Sequence, residues 1–412
     1  MKTESVTANT SNGWQKVTLG ELLEFKNGIN AEKASYGSGV PFVNVMEIIR
    51  HDVLDVEKIP GRISIDKKTL EKNLVVRGDV LFNRTSETPE EIGLTSVYLD
   101  SKAAVFGGFV IRGRSRNQLI SEGFKKYCFS SKQVRHQIIE RGQGVLRMNI
   151  GQKDLEKVVL SFPGIAQQDK IVEVLDTWDQ VIGKLKRKIE MKKEINFGLS
   201  QKLLTGKTRL SGFSKPWTQV KISSFSKPIS KLNTDNSCTE VLSCTKYDGL
   251  VRSLEYFGRK VYGNNLTKYK VVPKGYFAYA TNHIEEGSIG YQDIIDAGLV
   301  SPMYTVFKTE GVNNHFLYKL LKTPKLISEY RRHMSASVER RGGLRWPSFS
   351  SIKVSLPSVE EQNAISELIQ TSENEIRSLE RKLKYIAEQK TYLLNNLITG
   401  TIRTPETLSV NA

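Results

Sequence analysis

The side chains that could do chemistry in this sequence are mainly hydrogen-bond donors and acceptors that suit the edges of nucleic-acid bases. Arginine and lysine can bond guanine O6 and N7, asparagine and glutamine can bond adenine N6 and N7, and one bidentate contact contributes roughly 1–3 kcal/mol of discrimination. Such residues lie beside predicted strands in two parts of the chain. In the first part the candidates are Asn83, Arg84, Thr85, Arg112, Arg141, Arg147 and Asn149. In the second part they are Tyr279, Thr281, Asn282, Arg340, Arg341 and Arg345, with Lys231, Lys246 and Arg252 as further candidates.

Each candidate also has a simpler interpretation as an ordinary surface charge or a phosphate contact. Arg147 and Arg345 each follow a leucine in similar surroundings, which favours a shared task such as holding phosphates. The basic run from Lys184 to Lys193 could face DNA, or it could be the exterior of a helix pair.

The charge balance points to a polyanionic partner. The formal net charge is +17, from 61 Lys and Arg against 44 Asp and Glu in 412 residues. Such an excess favours nucleic acid first and a membrane surface second. The three cysteines form no C-x-x-C pair, no apolar run is long enough to span a bilayer, and the amino terminus has no apolar signal core. A cytoplasmic protein with no membrane partner is the simplest prediction.

Motifs for catalysis are absent from the sequence. It contains no glycine-rich cofactor loop after a predicted strand, and no Asn-Pro-Pro-aromatic or Asp-Pro-Pro-Tyr motif. Gly206-Lys207-Thr208 is similar to the end of a phosphate-binding loop, but Gln201 stands where a glycine is required. The five histidines show no i, i+4 pairing and no adjoining carboxylate cluster, which argues against a metal site or a general base. We therefore predict no catalytic residue, metal or cofactor in this chain.

The elements that must position the candidates include one long segment that occurs twice. Pro357 lies 194 residues after Pro163, and Gly400 lies 194 residues after Gly206. Within each copy the apolar residues follow alternating steps of three and four, the pattern of a coiled-coil seam. Lys192 and Lys390 interrupt the seams, where a polar residue can fix register or extend its charge to the edge. The natural partner of each predicted helix is the other copy.

The remaining chain predicts two domains with one plan. In residues 1–162, strands are predicted at 39–48, 72–86, 92–100 and 103–114, followed by a helix over 121–140. Residues 207–356 repeat this order with mostly different side chains, including a helical window near residues 315–334. The predicted fold class is α+β, with two β-rich mixed domains, 1–162 and 207–356, joined by repeat helices in 163–206 and 357–412.

The whole chain resembles a type I restriction-modification specificity subunit, in which two target-recognition domains alternate with two long repeat helices. The resemblance rests on the order and duplication of several short motifs. They are the Trp-x-x-Val openings at Trp14 and Trp217, residues 78–84 and 106–110, the Leu-Arg pairs at 146–147 and 344–345, Pro-x-x-x-x-Gln at Pro163 and Pro357, and Leu-x-Thr-Gly at Leu203 and Leu397.

The resemblance implies an antiparallel helix pair with pseudo-two-fold symmetry, since the spacing of residues alone does not choose between parallel and antiparallel helices. It also implies that each domain reads one half of a bipartite site in double-stranded DNA. The helices would set the spacer and dock two modification subunits that bind S-adenosylmethionine and methylate adenine N6, alongside restriction (helicase-nuclease) subunits. The alternative is an architectural coiled-coil DNA-binding protein without catalytic partners.

Overall fold

The computed structural model describes residues 8–9, 13–144, 146–334 and 343–404 of the chain. It is an α+β structure that divides into two compact units. The first unit comprises residues 1–186 and 381–412, and the second comprises residues 187–380. Each unit therefore contains one β-rich domain and a part of both long helices. No helix in the described ranges combines the length and apolar character that crossing a bilayer requires.

The first unit is built from short strands and short helices. Its strands are β1 (Ala8–Asn9), β2 (Gln15–Thr18), β3 (Leu23–Asn27), β4 (Tyr36–Val43), β5 (Val53–Leu54), β6 (Arg62–Ile63), β7 (Val80–Asn83), β8 (Thr85–Ser86), β9 (Thr95–Tyr98), β10 (Val105–Phe106), β11 (Val110–Ser115), β12 (Met148–Asn149) and β13 (Val159–Phe162). Its helices are α1 (Leu19–Leu22), α2 (Val45–Arg50), α3 (Lys67–Lys72), α4 (Glu122–Cys128), α5 (Lys132–Arg141), α6 (Gln152–Glu156) and the long α7 (Ile165–Leu204), which continues into the second unit. The main sheet has the order β3-β11-β7-β9-β5, and smaller sheets have the orders β10-β4-β6, β1-β2-β13 and β12-β8.

The second unit repeats this frame. Its strands are β14 (Thr218–Lys221), β15 (Ser226–Ile229), β16 (Leu242–Thr245), β17 (Gly249–Arg252), β18 (Lys270–Pro273), β19 (Phe277–Ala280), β20 (Ile289–Tyr291), β21 (Ala297–Val300), β22 (Tyr304–Thr309) and β23 (Lys353–Leu356). Its helices are α8 (Ser253–Phe257), α9 (Asn314–Leu321), α10 (Pro324–His333), α11 (Trp346–Ser351) and the long α12 (Val359–Thr399), which ends in the first unit. The sheet order β15-β22-β19-β20 matches β3-β11-β7-β9, and β14 pairs with β23 as β2 pairs with β13.

The strands predicted at 72–86 and 103–114 each contain two short strands, and three further predictions need correction at the level of single elements. The strand predicted at 39–48 ends at Val43, because the Glu47 carboxylate accepts a hydrogen bond from the Asn44 N–H (2.8 Å) and starts a helix there. The helix predicted over 121–140 is two helices, since Ser131 caps the second. The helical window at 315–334 is also divided, by Pro324 at the first turn of α10.

The coiled-coil seam is confirmed by burial. At the seam positions of α7 and α12 the side chains are buried or half-buried, with Leu199 as the exception at 37% exposed. Both helices end as predicted, at glycines in the left-handed conformation, with φ of 70° at Gly206 and 75° at Gly400. Trp14 packs against Gly400, and Trp217 packs against Gly206.

The two helices run antiparallel within each unit. In the first unit, Gln167 at the start of α7 donates to Thr404 beyond the end of α12 (2.6 Å). In the second unit, Arg209 beyond the end of α7 pairs with Glu361 at the start of α12 (2.7 Å). This orientation agrees with the expectation from the family resemblance.

The seam lysines are paired within the unit in which each lies. Lys390 donates to Asp179 on the facing helix. Lys192 lies 2.8 Å from Glu375. Both lysines therefore have a carboxylate partner across the helix pair, which is compatible with the register role that the sequence left open.

Each domain core is completed by both long helices. The main core of the first unit includes Ile171 and Leu175 of α7 together with Leu394 and Leu397 of α12. The second unit likewise includes Leu203 of α7 and Ile365 and Ile369 of α12 in its core. Burial of such side chains is the main force that holds a helix against a domain.

Candidate nucleic-acid interface

Four of the predicted residues of the first domain lie together at the end of strand β7. We name this group, Arg84, Thr85, Arg147 and Asn149, the first tip. Strand β8 pairs with β12 so that Thr85 stands opposite Asn149, and the Thr85 hydroxyl donates to Asn149 Oδ1 (2.6 Å). Arg147 and Asn149 are exposed, and Arg147 lies 3.3 Å from Glu87. The tip thus presents a guanidinium, an amide and a hydroxyl on adjacent loops.

Arg84 holds the loops of the first tip together. Its N–H donates to the Phe109 carbonyl (2.9 Å) and its carbonyl accepts from the Ile150 N–H (3.0 Å). Its guanidinium donates to the Gly108 carbonyl (3.2 Å) and is half-buried. A guanidinium has five N–H donors, so Arg84 keeps further donors for a ligand.

Asn83 and Arg112 are used inside the fold, which corrects the prediction that they read bases. Asn83 is fully buried, and its amide donates to the Glu91 carbonyl (2.9 Å) and accepts from the Thr85 N–H (3.2 Å). Arg112 is 4% exposed and donates to the Leu74 carbonyl (2.6 Å). Burial, reinforced by the neighbouring Arg114 charge, lowers the Arg112 pKa. A base edge has no access to either side chain.

Arg141 forms its side-chain hydrogen bond within its own helix. Its guanidinium donates to the Gln137 carbonyl of its own helix (2.9 Å) and is half-buried. This contact leaves other donors free to meet a phosphate, so a role at DNA stays a prediction for Arg141.

The corresponding place in the second domain holds Thr281 and Asn282, which we name the second tip together with Gly343 and Leu344. The Thr281 carbonyl accepts from the Leu344 N–H (2.7 Å), as the Arg84 carbonyl accepts from Ile150. The Thr281 hydroxyl donates to the Met303 carbonyl (3.1 Å). Thr281 and Asn282 are half-buried. Arg340 and Arg341 lie outside the described residues.

The Leu-Arg pairs used in the sequence comparison are not equivalent positions. Leu344 lies 194 residues after Ile150 and makes the matching backbone hydrogen bond, and both side chains are buried. Leu146, in contrast, is 91% exposed. Arg345 is exposed at the start of α11. The premise that Arg147 and Arg345 occupy matched positions is therefore wrong, because their backbone positions differ by four residues, and a shared task for them stays a prediction.

Tyr279 belongs to the core. It is fully buried on β19, where its strand position corresponds to Phe82 on β7. Burial raises the pKa of its hydroxyl well above the ordinary value. Tyr279 cannot meet a base in this fold.

The further candidates lie on other parts of the second domain. Lys246 is exposed at the β16–β17 turn, with its ammonium 5.2 Å from the centre of the exposed Tyr247 ring. Arg252 is half-buried and lies 3.4 Å from Glu255. Lys231 is exposed, and its carbonyl accepts from the Val271 N–H (2.8 Å).

A basic and aromatic segment between β17 and β18 was missed by the sequence reasoning. Tyr256 and Phe257 on α8 are 51% and 45% exposed and form an edge-to-face pair with ring centres 5.0 Å apart. Arg259 and Lys260 follow directly and are exposed. In the first domain the segment at this place in the frame, residues 44–74, instead contains α2, β5, β6 and α3. The alternation of aromatic and basic residues was the signal that could have identified the segment.

One statement about histidines also needs correction. Among the described residues, the donor atoms of His283, Glu285 and Glu286 lie within 4.8 Å of one another. His283 Nδ1 is 3.6 Å from Glu286 Oε1, and both side chains are more than half exposed. Exposed ion pairs of this kind are common on protein surfaces.

Comparison with known proteins gives one consistent family. A family model described as the type I restriction modification DNA specificity domain matches residues 11–193 and 215–388. The type I restriction enzyme MjaVIII specificity subunit of Methanocaldococcus jannaschii is 22% identical over 419 residues, which cover 95% of this chain and 93% of that protein. The putative MjaX specificity subunit of the same organism is also 22% identical, over 95% of this chain and 94% of its own.

Solved structures share the fold at low sequence identity. A chain from a structural study of complex assembly and conformational transition of the type I R-M system aligns with a TM-score of 0.60 and 14% identity, over 96% of this chain and 100% of its own. The HsdS subunit from Thermoanaerobacter tengcongensis aligns with a TM-score of 0.51 and 14% identity, over 96% of this chain and 98% of its own.

Proposed function

Because the chain belongs to the type I restriction modification DNA specificity family, we propose that it supplies the DNA target to a methyltransferase and restriction complex. Each domain reads one half of a bipartite site in double-stranded DNA. The long helices set the spacer and dock two modification subunits, which bind S-adenosylmethionine and methylate adenine N6. Restriction subunits with helicase and nuclease activity complete the complex. This chain recognises the DNA target and sets the distance between its two half-sites.

The observation that carries this proposal is that one arrangement of strands and helices occurs twice, with different side chains at the two tips. The sheet order is shared, and the bonds from Leu19 N to Val158 O (2.8 Å) and from Ile222 N to Ile352 O (3.0 Å) are equivalent. The tips, however, present Arg84 and Thr85 in one domain and Thr281 and Asn282 in the other. Similar scaffolds with different side chains at one edge support two readers of two unlike half-sites.

Apolar side chains on the outer faces of the helices support the docking of protein partners. Met191, Ile195 and Phe197 are 61%, 64% and 63% exposed on α7. Tyr385 and Tyr392 are 64% and 63% exposed on α12. Exposed aromatic residues and methionine are typical of protein interfaces.

A genome-wide map of N6-methyladenine tests the recognition role. Cells that express the chain with a modification subunit should show a bipartite methylated motif that is absent without the chain. Arg84→Ala should change the first half-site only, and Asn282→Ala the second half-site only. Arg77→Ala and Lys274→Ala are matched controls, because each lies before the opposite end of the same strand, and they should leave the motif unchanged. A motif unaltered by Arg84→Ala and by Asn282→Ala would contradict the two-reader proposal.

A helix deletion tests the spacer role. Removing one heptad from each long helix shortens the pair by about 10 Å, the rise of about 3 base pairs. The methylated motif should keep both half-sites and lose about 3 base pairs of spacer. A motif with its original spacer, made by a variant that still assembles with the modification subunit, would contradict the proposal.

A further inference from the structure

Both domains carry the same turn before the same strand, and each turn ends in an exposed apolar side chain. In the first domain the Val110 N–H donates to the Gly107 carbonyl (2.9 Å), and in the second the Tyr304 N–H donates to the Ser301 carbonyl (2.9 Å). Ser301 lies 194 residues after Gly107, the same offset that relates the long helices. The side chain projected between these residues is Phe109 in one domain and Met303 in the other.

In the first turn only Phe109 is exposed, whereas in the second turn Pro302 is exposed together with Met303. Phe109 is 61% exposed and Met303 is 55% exposed. The turns read Gly-Gly-Phe and Ser-Pro-Met, so the frame is kept while the sequence changes. A single exposed apolar side chain is ordinary on a protein surface, but its recurrence at equivalent places in both domains suggests a ligand that covers it.

Hydrogen bonds fix the Phe109 turn on several sides. Gly107 N–H donates to the Val43 carbonyl and Gly108 N–H donates to the Ile29 carbonyl, both at 2.9 Å. A Cβ added at Gly108 would lie 1.9 Å from Asn30 Oδ1, so any larger residue there would have to displace the Asn30 side chain. The phenyl ring is therefore presented by a rigid support.

A cation is bound to the backbone of each turn. Arg84 donates to the Gly108 carbonyl (3.2 Å) beside Phe109. Lys270 donates to the Tyr304 carbonyl (2.6 Å) beside Met303. An exposed apolar side chain next to a positive charge is complementary to DNA, in which apolar stacked bases lie between negatively charged phosphates.

We propose that Phe109 and Met303 are wedges that enter between base pairs, one in each half-site, and kink the duplex there. Phenylalanine and methionine are among the residues that proteins insert into base steps. Each wedge stands beside its tip, so the kink brings the base edges of that half-site towards the tip residues. Part of the sequence preference then comes from how easily a step unstacks. This inference rests on the proposed function.

The test uses the full chain assembled with its modification subunit and a duplex that carries the methylated motif. 2-Aminopurine replaces single bases along each half-site, and its fluorescence rises where a base is unstacked. Phe109→Ala should remove the rise in the first half-site only, and Met303→Ala in the second half-site only. Each variant should also lower affinity for the motif at least fivefold relative to a duplex with scrambled half-sites.

Val76→Ala and Ile294→Ala are the matched controls. Val76 and Ile294 are 40% and 41% exposed and lie beyond the opposite ends of β7 and β21. Both controls should keep the fluorescence rise and the affinity of the unaltered chain.

The outcomes separate the wedge from the function on which it rests. If the unaltered complex methylates no bipartite motif, the proposed function fails and the wedge fails with it. If the motif is methylated but the fluorescence is the same with and without Phe109 and Met303, the wedge alone is refuted. If the two variants lose the modification subunit while the free chain binds DNA as before, the side chains are protein contacts and the wedge is refuted.

Discussion

Replacing Asp179 with alanine is expected to destabilise the helix junction of the first unit, because this carboxylate neutralises two lysines. Lys126 Nζ lies 2.8 Å from Asp179, and Lys390 of the facing helix donates to the same carboxylate. The Tyr127 hydroxyl donates to Asp179 as well (2.6 Å). The side chains of Lys126, Asp179 and Lys390 are only 20%, 28% and 18% exposed.

The expected loss is about 2 kcal/mol. Breaking a buried ion pair costs roughly 3–5 kcal/mol, whereas an exposed pair contributes about 0.2–1 kcal/mol. The partial exposure places this cluster between the two limits. Lys126 retains Asp176 at 3.0 Å, so Lys390 is the lysine left without a carboxylate, with its ammonium 5.3 Å from the centre of the Tyr127 ring. Removing that charge as well should recover part of the loss.

A double-mutant cycle with Asp179→Ala and Lys390→Met measures this coupling. Because the chain has two units, one global unfolding transition is not a safe measure of stability. Amide hydrogen exchange of residues 171–182 and 386–397 reports the opening of the junction itself. The double variant should be less destabilised than the sum of the single variants by about 1 kcal/mol or more. Additive effects would refute the reasoning that the two residues act as a pair.

The same cluster gives a pH dependence of known sign. Burial raises the Asp179 pKa, but hydrogen bonds from Lys126, Lys390 and Tyr127 outweigh it, and the net pKa lies below the ordinary value of 3.8. A carboxyl group with a depressed folded-state pKa stabilises the fold above its unfolded pKa, and this stabilisation is lost as the pH falls. The difference between the unaltered chain and Asp179→Ala should therefore be full at pH 7 and shrink below about pH 4. A difference that grows in acid would contradict the assignment.

Three further substitutions test the packing of the first unit. Asp79→Asn should destabilise it by about 2 kcal/mol, because this carboxylate is 2% exposed and accepts from Arg114 (2.7 Å) and from the Val76 N–H (2.9 Å); amide hydrogen exchange of residues 80–83 and 110–114 measures the change, and unchanged exchange would contradict this. Gly28→Ala should also destabilise, since its Cβ would lie 2.2 Å from the Gly107 carbonyl oxygen, whereas Gly183→Ala, with open space around it in α7, should stabilise by up to about 1 kcal/mol. Equal effects of the two glycine variants on amide hydrogen exchange around each site would count against this argument.

The long helices were the most predictable part of the fold, because their evidence is periodic and repeated. The seam from Ile171 to Leu203 and its copy predicted which faces are buried, and Thr-Gly marked both ends. The short elements were harder to predict, since single side chains decide them. Glu47 turns an apparent strand into a helix, and Ser131 divides an apparent helix. Such local hydrogen bonds outweigh the average preference of the surrounding residues.

The candidate site was predictable by residue type and only partly by position. Arg84, Thr85, Arg147 and Asn149 meet at one tip because β8 pairs with β12, and this pairing has no signature in the sequence. Asn83 and Arg112 have suitable chemistry, but they stand on strand positions that face the interior. Phe109 and Met303 carry no hydrogen-bonding groups, so a search for base-reading residues passes over them.

Completion of the first core by α12 has a consequence for synthesis on the ribosome. Leu394, Leu397 and Ile398 belong to the same core as Leu175, so the amino-terminal domain lacks these partners until the chain reaches them. At about 5–20 residues per second, translation from Leu175 to Leu394 takes roughly 10–45 s. During that interval, while the second domain is being made, the apolar surface that these residues cover is exposed to solvent. The first domain to emerge is therefore not the first to be finished, and a prematurely terminated chain would carry this surface uncovered and become a substrate for chaperones or proteases.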